Sequence, residues 1–259
     1  MIARTKLLAL LFAAALAAPA VAQEGPPAQT PPKLTWSFAG PFGIYDTGQL
    51  QRGFKIYREV CSNCHSMTMV SFRNLADPGG LGYSPEQAKA LADSYKLAVA
   101  DHLPSPQEAV ISAFPIKPPD MSVLAKARSY KRGFPDFIFD FFTQYQEHGV
   151  DYIAALLKGY ENPPPGVTPP PGTFYNKYFP SHNLAMPQPL FAGAVTYDDG
   201  APQTLEQYSQ DVAAFLMWAA EPHLVQRKRI GFQVMIYLII LAGLLYATKK
   251  SVWRTAEAH

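Results

Sequence analysis

The 259-residue chain is 48% hydrophobic and 16% charged, and its formal net charge is +2. That balance is too even to argue for a nucleic-acid partner, and no basic stripe interleaved with aromatics appears. Cys61 and Cys64 are the only cysteines, and because they share one short motif no disulfide framework is available.

Met1 to Ala22 carries Arg4 and Lys6, a short apolar core from Leu7 to Ala18, and Ala20-Val21-Ala22, the pattern of a cleavable export signal. Its apolar core is too short to span a bilayer unaided. Glu24 to Lys33 follows as a Pro-rich, extended lead-in. Asp46-Thr47-Gly48-Gln49 resembles a capping box, after which Leu50, Phe54, Tyr57 and Val60 fall at helical spacing straight into Cys61 and Cys64.

Cys61-Ser62-Asn63-Cys64-His65 is the C-x-x-C-H pattern of covalent haem attachment. Two thiols one helical turn apart can each add to a porphyrin vinyl group, and the histidine that follows is then held at the iron. A structural zinc would need about four ligands, and no second C-x-x-C or H-x-x-x-H pair exists. A thioredoxin-like pair would open a helix after a strand, whereas a helical pattern precedes this motif. The chemistry this implies is electron transfer.

Ser84-Pro85-Glu86 predicts a helix through Ala88, Leu91 and Tyr95 to about Ala100, with proline at the first helical position. Asp120 is a candidate cap for a helix through Val123, Leu124 and Ala127 to Arg128, and Asp151 to Tyr160 reads as an amphipathic helix. Six prolines between Asn162 and Gly172 exclude a regular element there. Asp198, Asp199 and Glu206 form a small acidic group, read as a solvated loop in preference to a steering surface for a basic partner. Thr204-Leu205-Glu206-Gln207 opens a helix that buries Tyr208, Val212, Phe215, Leu216 and Ala219, and Pro222 kinks or stops it.

Ile230 to Thr248 is almost wholly apolar and as a helix would extend roughly 28 Å, close to the hydrocarbon thickness. Arg227, Lys228 and Arg229 bracket one end and Lys249 and Lys250 the other, so charge counting leaves the orientation open. The export signal decides it, by carrying the chain up to the span across the membrane. The expected organisation is a signal peptide over 1–22, a periplasmic haem domain over 23–226, an anchor helix over 227–250 and a cytoplasmic tail over 251–259. The fold class is mainly α, a cytochrome c-like haem domain with long Pro-rich loops and a single C-terminal transmembrane helix.

A six-coordinate haem needs a ligand opposite His65, and a thioether raises the potential relative to a second imidazole. Of seven methionines, Met186 in Leu184-Ala185-Met186-Pro187-Gln188-Pro189 lies on an irregular, Pro-stiffened strap suited to lay a flexible side chain across a ring. Met67 and Met69 are too close to His65, Met121 sits at a helix start, Met217 reads as packing, and Met235 is in the span. His182 is the rival ligand. His102, His148, His223 and His259 read as surface or helix-end residues.

Trp36-Ser37-Phe38 with Gly40-Pro41-Phe42-Gly43, Gln49-Leu50-Gln51-Arg52-Gly53-Phe54 before the haem motif, Pro118-Pro119-Asp120-Met121-Ser122 with Ala127-Arg128, Met186-Pro187-Gln188-Pro189-Leu190, and Ala213 to Pro222 together resemble the cytochrome c1 family in its bacterial form. These are the haem-bearing, membrane-anchored subunits of cytochrome bc1 complexes. The resemblance implies that Cys61 and Cys64 hold one haem c, that His65 and Met186 ligate its iron, and that Arg128 and Tyr152 contact the propionates, which need such donors when buried. It implies a non-catalytic subunit that relays one electron from the Rieske iron–sulfur protein to a cytochrome c. Cytochrome b, a dimeric complex and the lipid bilayer are the implied surroundings, in a bacterial inner membrane. Met121 replaces the family's usual leucine, and Ala113-Phe114-Pro115-Ile116-Lys117 lacks the Asn-Gly often found there, so no propionate contact is assigned to that stretch. A membrane-anchored haem peroxidase and a haem-based sensor are the alternatives. Both need an open or displaceable sixth position.

Overall fold

The computed structural model describes residues 27–256 apart from 115 and 144. The expected signal at 1–22 lies outside the described residues. Among the described residues there are eight α-helices, in chain order α1 Thr47–Glu59, α2 Pro85–Ser94, α3 Glu108–Ser112, α4 Leu124–Ala127, α5 Asp136–Thr143, α6 His148–Lys158, α7 Leu205–Ala220 and α8 Leu224–Ala256, with two short 3-10 turns at Cys61–Asn63 and Phe72–Ala76. Strands β1 Phe174–Tyr175 and β2 Asn183–Leu184 pair antiparallel, Phe174 opposite Leu184. The chain is mainly helical, and residues 162–172 form no helix or strand.

The core is the contact of α1 with α7, flanked by α6 and α4. Asp46 caps α1 by accepting the Gln49 N–H at 2.7 Å, and the helix buries Leu50, Phe54, Ile56 and Tyr57. Phe54 and Tyr57 meet Phe215 of α7 at ring separations of 5.5 and 5.7 Å. Removing each such side chain from water is worth about 1.5–3 kcal/mol. The approach is close because Gly53 faces α7: a Cβ there would lie 2.1 Å from the Asp211 carbonyl oxygen and 2.6 Å from Phe215 Cβ. Asp211 is itself buried, accepting from Arg52 Nε at 2.8 Å, Tyr197 at 2.8 Å and Gln207 at 2.9 Å.

Several helix boundaries differ from the expected ones. Ser84 forms the full capping box with Gln87, but α2 stops at Ser94 and does not reach Ala100. Lys96 turns left-handed at φ 58°, and Lys96 and Leu97 donate back to the Asp93 and Ala92 carbonyls at 2.9 and 3.1 Å. That closure usually uses glycine, so its sequence signal is missing. Helix α6 begins at His148, three residues before Asp151, which is fully buried and does not act as a cap. Its carboxylate accepts from Trp36 Nε1 at 2.9 Å, the Leu34 N–H at 3.1 Å, and the Tyr130 and Tyr145 hydroxyls. The acidic group is solvated, with Glu206 in the first turn of α7, and Asp198, Asp199 and Glu206 pair at the surface with Lys55, Arg52 and Lys158 at 3.0, 2.8 and 2.6 Å.

Helix α7 is capped by Thr204 and buries Met217 along with the expected face. It ends at Ala220, and the chain restarts as α8 after Pro222. Helix α8 runs 33 residues, about 50 Å at 1.5 Å per residue. Leu224–Arg254 within it has the length and composition to cross a membrane, and its apolar window is not buried by the rest of the chain.

Candidate cofactor site

The two cysteines stand at the end of α1. That helix closes with the Val60 N–H on the Ile56 carbonyl, and Ser62 and Asn63 side chains donate back to the carbonyls of Arg58, Glu59 and Val60. Cys61 then opens the 3-10 turn, whose carbonyl accepts the N–H groups of Cys64 at 3.1 Å and His65 at 2.9 Å. Both thiols and the imidazole are thus fixed by one turn. Burial pushes the Cys61 thiol up to about 12, with Cys64 adding to the shift. A thiol held protonated in this way lacks the thiolate character of a disulfide-exchange pair. Among the described residues no group of three or more His, Cys, Asp or Glu is placed to hold a zinc ion.

His65 is 8% exposed, and its Nδ1 lies 2.8 Å from the Pro119 carbonyl oxygen. A carbonyl only accepts, so Nδ1 carries the proton and the Nε2 lone pair is left for a metal. Burial pushes the His65 pKa down, against the opposing pull of the Pro119 bond and Asp120, which favours the neutral, ligating form. The Tyr57 hydroxyl reaches the His65 carbonyl at 3.4 Å.

Pro119 is held in place by its neighbour. Asp120 was expected to cap a helix over 123–128, but α4 is only Leu124–Ala127, with Val123 at its N-cap and no side-chain cap bond. Asp120 instead clasps the haem-motif loop: Oδ2 accepts from Ser66 Oγ at 2.8 Å and from the Thr68 N–H and hydroxyl at 3.0 Å, while Oδ1 accepts the Ser122 N–H at 2.8 Å. Two further bonds join the segments, Met121 N–H to the Ser66 carbonyl at 2.8 Å and Met69 N–H to Ser122 Oγ at 3.0 Å. Burial would raise the Asp120 carboxyl, but donors from Ser122, Thr68 and Ser66 outweigh it and hold the pKa at about 2.

Met186 follows β2 by two residues, half-buried against the hydrophobic core that contains Cys61. Its strap is pinned by the Tyr160 hydroxyl, which donates to the Met186 carbonyl at 3.0 Å, and by Gln188, which donates to the Leu190 carbonyl at 2.9 Å. His182 occupies the turn ahead of β2 with φ 58°. Its Nδ1 lies 3.1 Å from the Asn176 carbonyl and its ring stacks on Tyr175 at 5.1 Å. Its ring is engaged in shaping that turn.

The two propionate candidates lie on neighbouring helices, the exposed Arg128 at the end of α4 and the buried Tyr152 on α6. Burial pushes the Tyr152 hydroxyl up and the Arg128 guanidinium opposes the shift, so the pair lies within electrostatic reach. Helices α4 and α6 can pack this closely because Gly149 has no Cβ; one would sit 1.8 Å from the Ala125 carbonyl oxygen. The Asp120 clasp and the Tyr160 pin carry no periodic or capping signal in the sequence, because their partners are 26 to 54 residues away.

A helical domain presenting a C-x-x-C-H turn, an imidazole with its metal-binding nitrogen free, and one apolar helix leaving the body defines a membrane-anchored c-type cytochrome. The chain belongs to the Cytochrome C1 family, whose profile it matches over residues 36–256. It is 54% identical over 258 residues to the cytochrome b/c1 of Bradyrhizobium diazoefficiens, covering 92% of this chain and 37% of that protein, so it spans little more than a third of that relative. It is 48% identical over 271 residues to the cytochrome c1 of Blastochloris viridis, covering 96% of this chain and 95% of that one. To the cytochrome c1 of Rhodospirillum rubrum it is 36% identical over 260 residues, covering 87% and 88%. The donor set fits a covalent haem c, with two thiols for the thioether bonds and a neutral buried imidazole for the iron.

Proposed function

We propose that this chain relays single electrons within a quinol-oxidising cytochrome bc1 complex, receiving them from the Rieske iron–sulfur protein and passing them to a cytochrome c. Cys61 and Cys64 hold the haem, His65 and Met186 ligate its iron, and Arg128 and Tyr152 meet the propionates. When bound, the haem supplies the one-electron couple. No residue at the site needs to act as acid, base or nucleophile.

What the chain's own residues contribute is rigidity. The Pro119 carbonyl holds the His65 tautomer, the Asp120 clasp holds Pro119, and the Tyr160 hydroxyl holds the Met186 backbone. Ligands that barely move between oxidation states keep the reorganisation cost of electron transfer low. The observation that carries the reading is His65 Nδ1 at 2.8 Å from the Pro119 carbonyl, beside two thiols on one turn.

Cytochrome b is the membrane partner in this reading, and the complex is dimeric. The chain is single-pass in the bacterial inner membrane, with the haem domain in the periplasm and the C-terminus in the cytoplasm, a reading supported by the export-signal pattern and by the one membrane-length apolar helix among the described residues. A peroxidase or sensor would need a vacant or displaceable sixth position, and the pinned Met186 strap favours neither.

The ligand assignment is tested by the absorption spectrum of the purified ferric protein, because sulfur ligation leaves a weak long-wavelength charge-transfer band. Met186→Leu should abolish that band and lower the midpoint potential, whereas His182→Ala should leave the band in place. Absence of the band from the parent protein, with a spectrum altered by His182→Ala and unchanged by Met186→Leu, would exchange the two assignments.

A further inference from the structure

Residues 34–45 carry no charged side chain, and the latter half of that stretch is a closed loop. Phe38 and Tyr45, both buried, meet at its base with ring centres 5.2 Å apart, and the Ile44 N–H donates to the Ser37 carbonyl at 3.0 Å. Gly43 makes the closure possible, since a Cβ there would lie 2.2 Å from the Ala39 carbonyl oxygen. The Tyr45 hydroxyl ties the base to the end of α7 by donating to the Glu221 carbonyl at 3.0 Å. What projects from this fixed base is apolar, with Phe42 72% and Ile44 61% exposed.

The loop lies directly along α8. Lys228 Nζ donates to the Phe38 carbonyl at 2.5 Å, and Phe42 packs edge-on against Phe232 with ring centres 5.3 Å apart. Lys228 and Phe232 are four residues apart and so share one face of the helix. The loop therefore follows α8 for one turn, about 5.4 Å. Its base stands beside the cations at 227–229 and its tip beside the apolar stretch that begins at Ile230. Phe42 thus reaches further along the anchor than Phe38 does. The same side of α8 continues through Met235, Ile236 and Ile239, all exposed, so the loop tip and the span present one apolar surface.

We infer that the loop over residues 39–44 is a second membrane contact, in which Phe42 and Ile44 enter the headgroup–acyl boundary beside the first apolar turn of α8. The inference rests on the reading of α8 as a membrane-crossing anchor. Lipid is the occupant because Phe42 touches the span itself, two residues past the start of its apolar stretch, where the surroundings of a crossing helix are headgroups and the ends of the acyl chains. An uncharged loop brings no ion into that zone, and the water still present there satisfies its peptide groups, which the hydrocarbon core would not. With α8, the loop gives the haem domain two points of contact and restrains its tilt.

The test is collision accessibility of a nitroxide attached at Phe42→Cys and at Ile44→Cys, with the exposed Thr168→Cys as aqueous reference and Leu238→Cys, near the middle of the apolar stretch, as bilayer reference. Cys61 and Cys64 being consumed as thioethers, the introduced thiol is the one in this chain that reacts, and an unchanged haem spectrum verifies the fold of each variant. The full haem-bearing chain is reconstituted into phosphatidylethanolamine–phosphatidylglycerol vesicles. Labels at 42, 44 and 168 are also read in the intact multisubunit complex in the same lipids, after subtraction of the signal from the labelled parent complex. Collisions with dissolved oxygen, relative to a water-soluble nickel chelate, should be several-fold more frequent at 42 and 44 than at 168 in both preparations, and most frequent at 238. A high ratio at 238 with 42 and 44 equal to 168 would overturn the inference and leave the anchor standing. A ratio at 238 equal to that at 168 would overturn the anchor and the inference with it. Shielding of 42 and 44 from both reagents that appears only in the complex would overturn the inference in favour of a protein partner.

Discussion

Asp120 illustrates how a single carboxylate fixes an imidazole it never touches. Its four acceptor contacts lock residues 66–68 to residues 119–122, and the Pro119 carbonyl of the same segment orients His65. Because its folded pKa of about 2 lies below the unfolded value of roughly 3.9, its stabilisation is complete above about pH 4 and is lost as pH falls through about 2. Asp120→Asn should therefore lower stability at neutral pH by about 1–3 kcal/mol and flatten the acid limb of the stability profile, measured by urea unfolding across pH. An unchanged acid limb would remove Asp120 from this role. The C-x-x-C-H turn was readable from the residues alone, since its chemistry is carried by residue type and short spacing. The clasp was not readable, and Asp120 misled as a helix cap, because an Asp followed by a helical pattern looks the same whether its oxygens face the next turn or a loop 54 residues away.

At the scale of elements, α1 and α7 act as one unit. Gly53 lets them approach until backbone and side chain nearly touch, and Gly53→Ala would force Asp211 and Phe215 to shift. The expected cost is about 1–3 kcal/mol, visible as a lowered denaturation midpoint. The haem spectrum should persist, because the cysteine turn begins beyond the contact. The helices with a strong apolar period and a capping side chain, α1 and α7, were legible at both ends. Helix α2 was legible only at its start, where Ser84 and Pro85 announce it, since a lysine performs the closing turn. Helices α3 and α5 were not anticipated. The first buries no side chain, and the second buries Asp140 while leaving Phe137 and Phe139 exposed.

For the whole molecule, the proposed topology is one crossing by Leu224–Arg254, which would put the haem domain and the tail on opposite sides. A reporter active only outside the cytoplasm should work when fused after residue 226 and fail when fused after residue 259. Activity at both positions would mean that α8 does not cross. The cations at the foot of α8 are not left to the bilayer alone, because Arg227 and Lys126 pair with Glu221 and Lys228 bonds Phe38. These contacts brace the anchor against the domain it carries.

The amino-acid sequence by itself determined the cofactor chemistry, the order of the main helices and the existence of the anchor. Each of these depends on residue types at short spacing or on the polarity of one continuous stretch, and such signals survive without knowledge of what lies opposite. Only the tertiary structure decided which carbonyl steers His65, what pins the Met186 strap, and which way α5 faces. Those outcomes belong to hydrogen bonds and ion pairs whose partners are brought together by the packing of α1, α4, α6 and α7, and a buried donor takes whichever acceptor that packing supplies.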